Sequence, residues 1–174
     1  MSAACLVICG KPLAKENGMK THRLFVGLVA AFAISLASVT VSATAAETPF
    51  MGTVNAVETG TTVFPIRSIT REGGGTATYL GKYTEVVTLQ INLLTMSSTG
   101  TATFTAANGD TLLATVVGHA TLTATPGVIS IIEVYTITGG TGRFADATGT
   151  FTLESTATQA TGVSTGTLSG TIDH

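Results

Sequence analysis

Two acids stand where a strand should be apolar. Along Lys82–Asn92 one face reads Tyr83, Glu85, Val87, Leu89 and Ile91. Along Val128–Thr138 one face reads Ile129, Ile131, Glu133, Tyr135 and Ile137. Each glutamate interrupts an apolar face, and each has a tyrosine two residues away on that same face. If these faces line a cavity, the result is a greasy pocket with two acids and two phenols. Burial there would raise a carboxyl pKa and suit it to general acid or base work, or the same groups would simply orient a bound molecule. Tyr83, Glu85, Glu133 and Tyr135 are therefore the candidate ligand-binding residues, with Glu85 and Glu133 the candidates for any catalysis. The competing reading puts both acids at strand ends, solvated near a barrel mouth. The cost of burying an unpaired acid favours that second reading.

Other chemistry finds little support. His119 follows Gly118, and from Glu47 onward the only other histidine is the terminal His174, so no histidine pair offers a metal site. Asp110, Asp146 and Glu154 lack the spacing of a calcium loop. Cys5 and Cys9 both lie near the start, and one internal histidine without a nucleophile motif does not make a hydrolytic triad. Neither a metal nor a cofactor is expected.

The elements that would position the acids are all strands. No stretch after residue 46 carries apolar residues at helical spacing over three turns; period-two alternation in β-branched and aromatic residues recurs instead. The pattern predicts strands at Phe50–Val57, Thr62–Ile69, Thr76–Leu80, Lys82–Asn92, Gly100–Ala107, Thr111–Val117, Ala120–Thr125, Val128–Thr138, Thr148–Thr156 and Gly166–Ile172. Asn108-Gly109-Asp110 reads as a hairpin turn and Thr125-Pro126-Gly127 as another. Eight to ten short strands with tight links make a sandwich or a barrel, in one domain over residues 47–174. Along Val128–Thr138 the second face, with Val128, Ile132 and Val134, is also largely apolar. A strand apolar on both faces is covered on both, which points to a homo-oligomer.

Composition narrows the classes further. Charged residues are 10% of the 174 against a usual quarter. A disordered chain, a coiled coil and a basic nucleic-acid binder all need more, so no nucleic acid is expected as a partner. From Glu47 onward four basic residues face nine acidic ones, a balance of −5. Threonine supplies 32 of those 128 residues, without any fixed 20–50-residue period. On exposed sheet faces threonine gives β-propensity without charge; a threonine-rich adhesive stalk is the rival explanation.

The front of the chain reads as an address. Lys20–Arg23 is basic, Leu24–Val41 is an uncharged run of 18 residues, and Ala43-Thr44-Ala45 supplies small residues before Glu47. That order describes a cleaved secretory signal peptide. Met19 is read as the true start and residues 1–18 as an upstream extension, the whole of 1–46 lying outside the mature domain. An uncleaved membrane anchor is the alternative, but Ala, Gly and Ser dilute the run. The expected location is secreted or periplasmic, with no stable membrane insertion after cleavage and no cysteine in the mature chain.

The most specific segment runs from Tyr135 to Gly149, a strand entering Gly139-Gly140-Thr141-Gly142-Arg143-Phe144-Ala145-Asp146-Ala147-Thr148-Gly149. By itself it predicts a structural turn on Gly139, Gly140, Gly142, Phe144 and Gly149, with Phe144 folding back as a plug on the barrel end and Arg143 pairing with Asp146. A phosphate loop would need a following helix and a Gly-Lys-Ser/Thr ending, both lacking here. With Tyr79–Thr84 and Ala106–Asp110, which follow the expected order, the segment resembles the dirigent and allene oxide cyclase barrel superfamily, closest to its small exported bacterial members. The resemblance implies an eight-stranded antiparallel barrel with a cavity, often a trimer. Its plant relatives guide cyclisation or radical coupling of small hydrophobic molecules, but their polar cavity residues find no match here. The sequence thus predicts an exported all-β barrel of about eight strands that binds a small hydrophobic molecule without catalysis. The alternatives are a cyclase- or isomerase-like enzyme acting through Glu85 or Glu133, and a structural or adhesive envelope protein.

Overall fold

Alternation with period two, carried by Val, Ile, Thr, Tyr and Phe, builds long strands that close on themselves. The computed structural model describes residues 47–174; the expected signal peptide, the expected Met19 start and the early cysteines fall outside the described residues. Eight strands follow in order: β1 (Thr48–Val63), β2 (Ile66–Ala77), β3 (Gly81–Asn92), β4 (Ser97–Ala106), β5 (Thr111–Leu122), β6 (Val128–Gly140), β7 (Thr148–Thr158) and β8 (Val163–Asp173). Each pairs antiparallel with the next, and β8 returns to β1, giving a closed barrel with no α-helix among the described residues.

Two of the ten expected strands are not separate. Thr62–Ile69 spans the β1–β2 turn at Phe64-Pro65, and β2 then runs on through Gly73, Gly74 and Gly75 to Ala77. Thr76–Leu80 is the end of β2 and the turn after it, and Ala120–Thr125 is the end of β5, which continues unbroken through Gly118. These glycines do not punctuate the strands: a Cβ at Gly73, Gly74 or Gly75 would run into the carbonyl oxygens of Asn55, Tyr83 and Thr53 on the adjoining strands, and one at Gly118 into the side chains of Ser98 and Glu133. Gly139 and Gly140 likewise belong to β6, where a register shift opposite Leu113 and Ala114 forms a bulge and Gly139 takes φ +119°.

The threonines have an ordered place. Thr59, Thr70, Thr88, Thr101, Thr115, Thr136, Thr150 and Thr171 are consecutive register partners, one from each strand. The ladder returns to β1 at Pro49 rather than Thr59. That offset of ten residues over eight strands corresponds to a strand tilt of roughly 40°. All eight sit on the outer wall, partly or fully exposed, and the Thr88 and Thr101 hydroxyls lie 3.1 Å apart.

Inside, the lumen is layered. One end is plugged by Leu80, Leu112, Ile172 and Phe144, all 2% exposed or less. Phe144 comes from a single 3-10 turn, Gly142–Phe144, between β6 and β7, as the sequence predicts. Arg143 stacks over its ring at 5.0 Å and lies 3.8 Å from Asp110, not beside Asp146 as expected. The turn folds back onto the β4–β5 hairpin, which brings Asp110 within reach. Above the plug, Tyr135 and Phe151 stack at 4.7 Å and Phe104 meets both edge-on. Truncating a fully buried ring leaves a cavity that a closed barrel cannot collapse. Phe144→Ala should therefore cost about 3–5 kcal/mol in urea unfolding; a loss below ~1 kcal/mol would mean the turn does not plug the barrel.

Candidate functional site

The two acids are neither solvated nor unpaired. Glu85 on β3 and Glu133 on β6 are 2% and 1% exposed, and both face Arg71 of β2, itself 1% exposed. Arg71 Nε donates to Glu85 Oε1 at 3.3 Å, and Nη2 donates to Glu133 Oε2 at 2.9 Å. Tyr135 accepts from the same Nη2 and donates to Glu133 Oε2 at 2.7 Å. The guanidinium thus spans the lumen from β2 to β6. The expectation of solvated acids fails because it reckoned the cost of burial without a counter-charge.

The second glutamate–tyrosine pair does not form. Tyr83 is buried, but its hydroxyl donates to the Thr53 carbonyl at 2.9 Å, and its ring packs against Phe104. Both phenols are held above their ordinary pKa, Tyr83 chiefly by burial and then by Glu85, Tyr135 by burial. They stay protonated and act as donors. Burial also raises Glu85, outweighing the opposing pull of Arg71, and raises Glu58 on β1. Burial works against the charge of Arg71, but Tyr135, Glu133 and Glu85 around it hold its pKa above the ordinary value, so it stays charged.

Towards the other end the lumen opens. Between the β1–β2, β3–β4, β5–β6 and β7–β8 ends lies a cavity of about 90 Å³. Its walls are apolar, with Ile69, Leu89, Ile91, Ile129 and Ile131, and Glu133 reaches it from below. Ser98, Glu58 and Arg67 supply further polar groups. Of the four candidate ligand-binding residues, Glu133 alone lines this cavity; Glu85, Tyr83 and Tyr135 lie among the residues beneath it. Two shallower hollows lie outside the barrel, one over the threonines of β1–β4, the other over Val117, His119, Ile132 and Val134. Among the described residues no group of three or more His, Cys, Asp or Glu could hold a metal.

Arg71 was missed because Thr70–Gly75 reads as a link. Its signal was parity: Ile69, Arg71, Gly73, Gly75 and Ala77 alternate on one face, and two inward acids call for a cation. A second unread sign is Gly118. A Cβ there would lie 2.6 Å from Ser98 Oγ and 2.7 Å from Glu133 Cγ, so β5 needs glycine where these two side chains converge.

Fold and site define a closed eight-stranded antiparallel barrel, plugged at one end, open at the other, with an arginine–carboxylate cluster across its middle. Compared with models of protein families, with curated proteins and with solved structures, the chain matches none.

A group whose folded pKa is raised stabilises the fold below its unfolded value and loses that contribution as pH rises through the folded one. For Glu85, starting from an ordinary 4.5, the loss falls above that pH. Glu85→Gln cannot ionise, so its stability relative to the parent should rise between pH 4.5 and neutrality, as read by urea unfolding. A difference constant with pH would show that Glu85 has no raised pKa.

Proposed function

We propose that this barrel binds a small apolar or amphipathic molecule at its open end, without turning it over. The observation carrying the reading is the mouth cavity, with aliphatic walls and few polar groups, the usual make-up of a small-molecule site. A cyclase- or isomerase-like reaction would need a free acid or base within reach of substrate. Glu85 lies below the cavity, and Glu133, which does reach it, is pinned through Oε2 by Arg71 and Tyr135, an arrangement that supports holding a polar head in place over moving a proton.

The finer parts of the reading rest on the sequence. The likeness of Tyr135–Gly149 to the dirigent and allene oxide cyclase superfamily supports a ligand-holding barrel, and the basic, apolar and small-residue order before Glu47 supports export to the periplasm or the exterior. A lipid-facing barrel carries an apolar outer band; the outward threonine ladder supports a barrel that stays out of the bilayer. The exposed Val117, Ile132 and Val134 support association with further copies of the chain, a trimer being the form the resemblance implies.

Titration with 1-butanol, followed by methyl NMR, tests the binding site. Saturable shifts are expected at Ile69, Ile91 and Ile131, with Leu80 and Ile172 at the plugged end unmoved. No saturable shift, or shifts centred on Val117 and Val134 outside the barrel, would overturn the reading.

A further inference from the structure

The polar groups that reach the mouth cavity are not neutral towards the head group of a ligand. Glu133 spends Oε2 on both of its hydrogen bonds, from Arg71 and from Tyr135, while Oε1 accepts none. Ser98, 7% exposed, lines the same cavity and makes no side-chain hydrogen bond. The Gly118 contacts place Ser98 Oγ and the Glu133 side chain on either side of one spot on the wall. A carboxylate oxygen and a hydroxyl therefore face the cavity with acceptor capacity unused.

The donors of the cluster are spent or out of reach. Arg71 Nε and Nη2 serve Glu85, Glu133 and Tyr135, and Nη1 is fully buried without a partner and does not line the cavity. The charge count points the same way. Arg71 faces two carboxylates, and nearer the rim the cavity is lined by one more cation, Arg67, and one more acid, Glu58. With its acids ionised, the lumen has one negative charge in excess.

Resting on the binding reading above, we infer that the site selects a ligand with a cationic hydrogen-bond-donor head, a primary ammonium on a short apolar chain, which donates to Glu133 Oε1 and Ser98 Oγ. Beside Glu133 an anionic head would meet a carboxylate, with only the Ser98 hydroxyl able to donate to it there; Arg67 and Gln159 line the cavity nearer the rim. The cavity, at about 90 Å³, takes roughly the volume of three waters. It admits the ammonium and the first carbons, and the rest of the chain lies along the aliphatic walls towards the rim.

The test uses the full mature barrel, residues 47–174, with 1-butylamine, 1-butanol and butyrate as probes at neutral pH. Charge-assisted donation to a carboxylate should make the amine bind at least about tenfold tighter than butyrate, with butanol between. Ser98→Ala, which disturbs no hydrogen bond of the fold, should weaken the amine several-fold while the same wall methyls still shift. Glu133→Gln should abolish the amine's advantage over butanol if it folds; if it does not fold, the wild-type order and Ser98→Ala decide. Butyrate binding as well as or better than the amine, or an amine preference untouched by Ser98→Ala, overturns the inference and leaves the binding site standing. Failure of all three probes overturns both.

Discussion

One guanidinium across the lumen sets the arrangement of the interior. Arg71 comes from β2, and its partners from β3 and β6, so the contact joins opposite walls that no backbone hydrogen bond connects. A buried arginine or carboxylate alone would be prohibitively costly, whereas together they satisfy one another. Tyr135 closes the cluster, a donor to Glu133 and the bottom of the polar layer, where its ring stacks on Phe151. The aromatic layer and the polar layer therefore share a residue, and neither can shift without the other.

This constraint divides the barrel along its axis. Below the cluster, rings and the Phe144 turn fill the lumen to solid packing. Above it, smaller aliphatic side chains leave the cavity, and the polar layer becomes its floor. The asymmetry follows from residue size at inward positions: Phe50, Phe104, Phe144 and Phe151 lie on the plugged side, Ile69, Leu89, Ile91 and Ile131 on the open side. Ionic floor, apolar wall and open rim are the features on which the proposed binding of a molecule with one polar end rests.

Much of the fold was legible because alternation is local. The inward faces of β3 and β6 were read correctly, as were the Asn108-Gly109-Asp110 hairpin and the burial of Phe144. The errors gather at glycine. Gly73–Gly75 and Gly118 read as breaks, yet they lie within strands whose neighbours press too close for a side chain. The same misreading hid Arg71 in a supposed link and left Glu85 and Glu133 without a cation. That pairing spans 62 residues in sequence between Arg71 and Glu133, and no local period announces it. Residue chemistry did: two inward acids without a counter-charge imply a third group.

The claim that Arg71 and the two acids depend on one another is tested most directly by unfolding free energies of two variants. Arg71→Met alone strands two buried carboxylates and should cost about 3–5 kcal/mol or prevent folding. Arg71→Met with Glu85→Leu and Glu133→Leu removes the whole cluster and should return to within ~1 kcal/mol of the parent. A single variant as stable as the parent, or a triple variant no better than the single, would contradict the account.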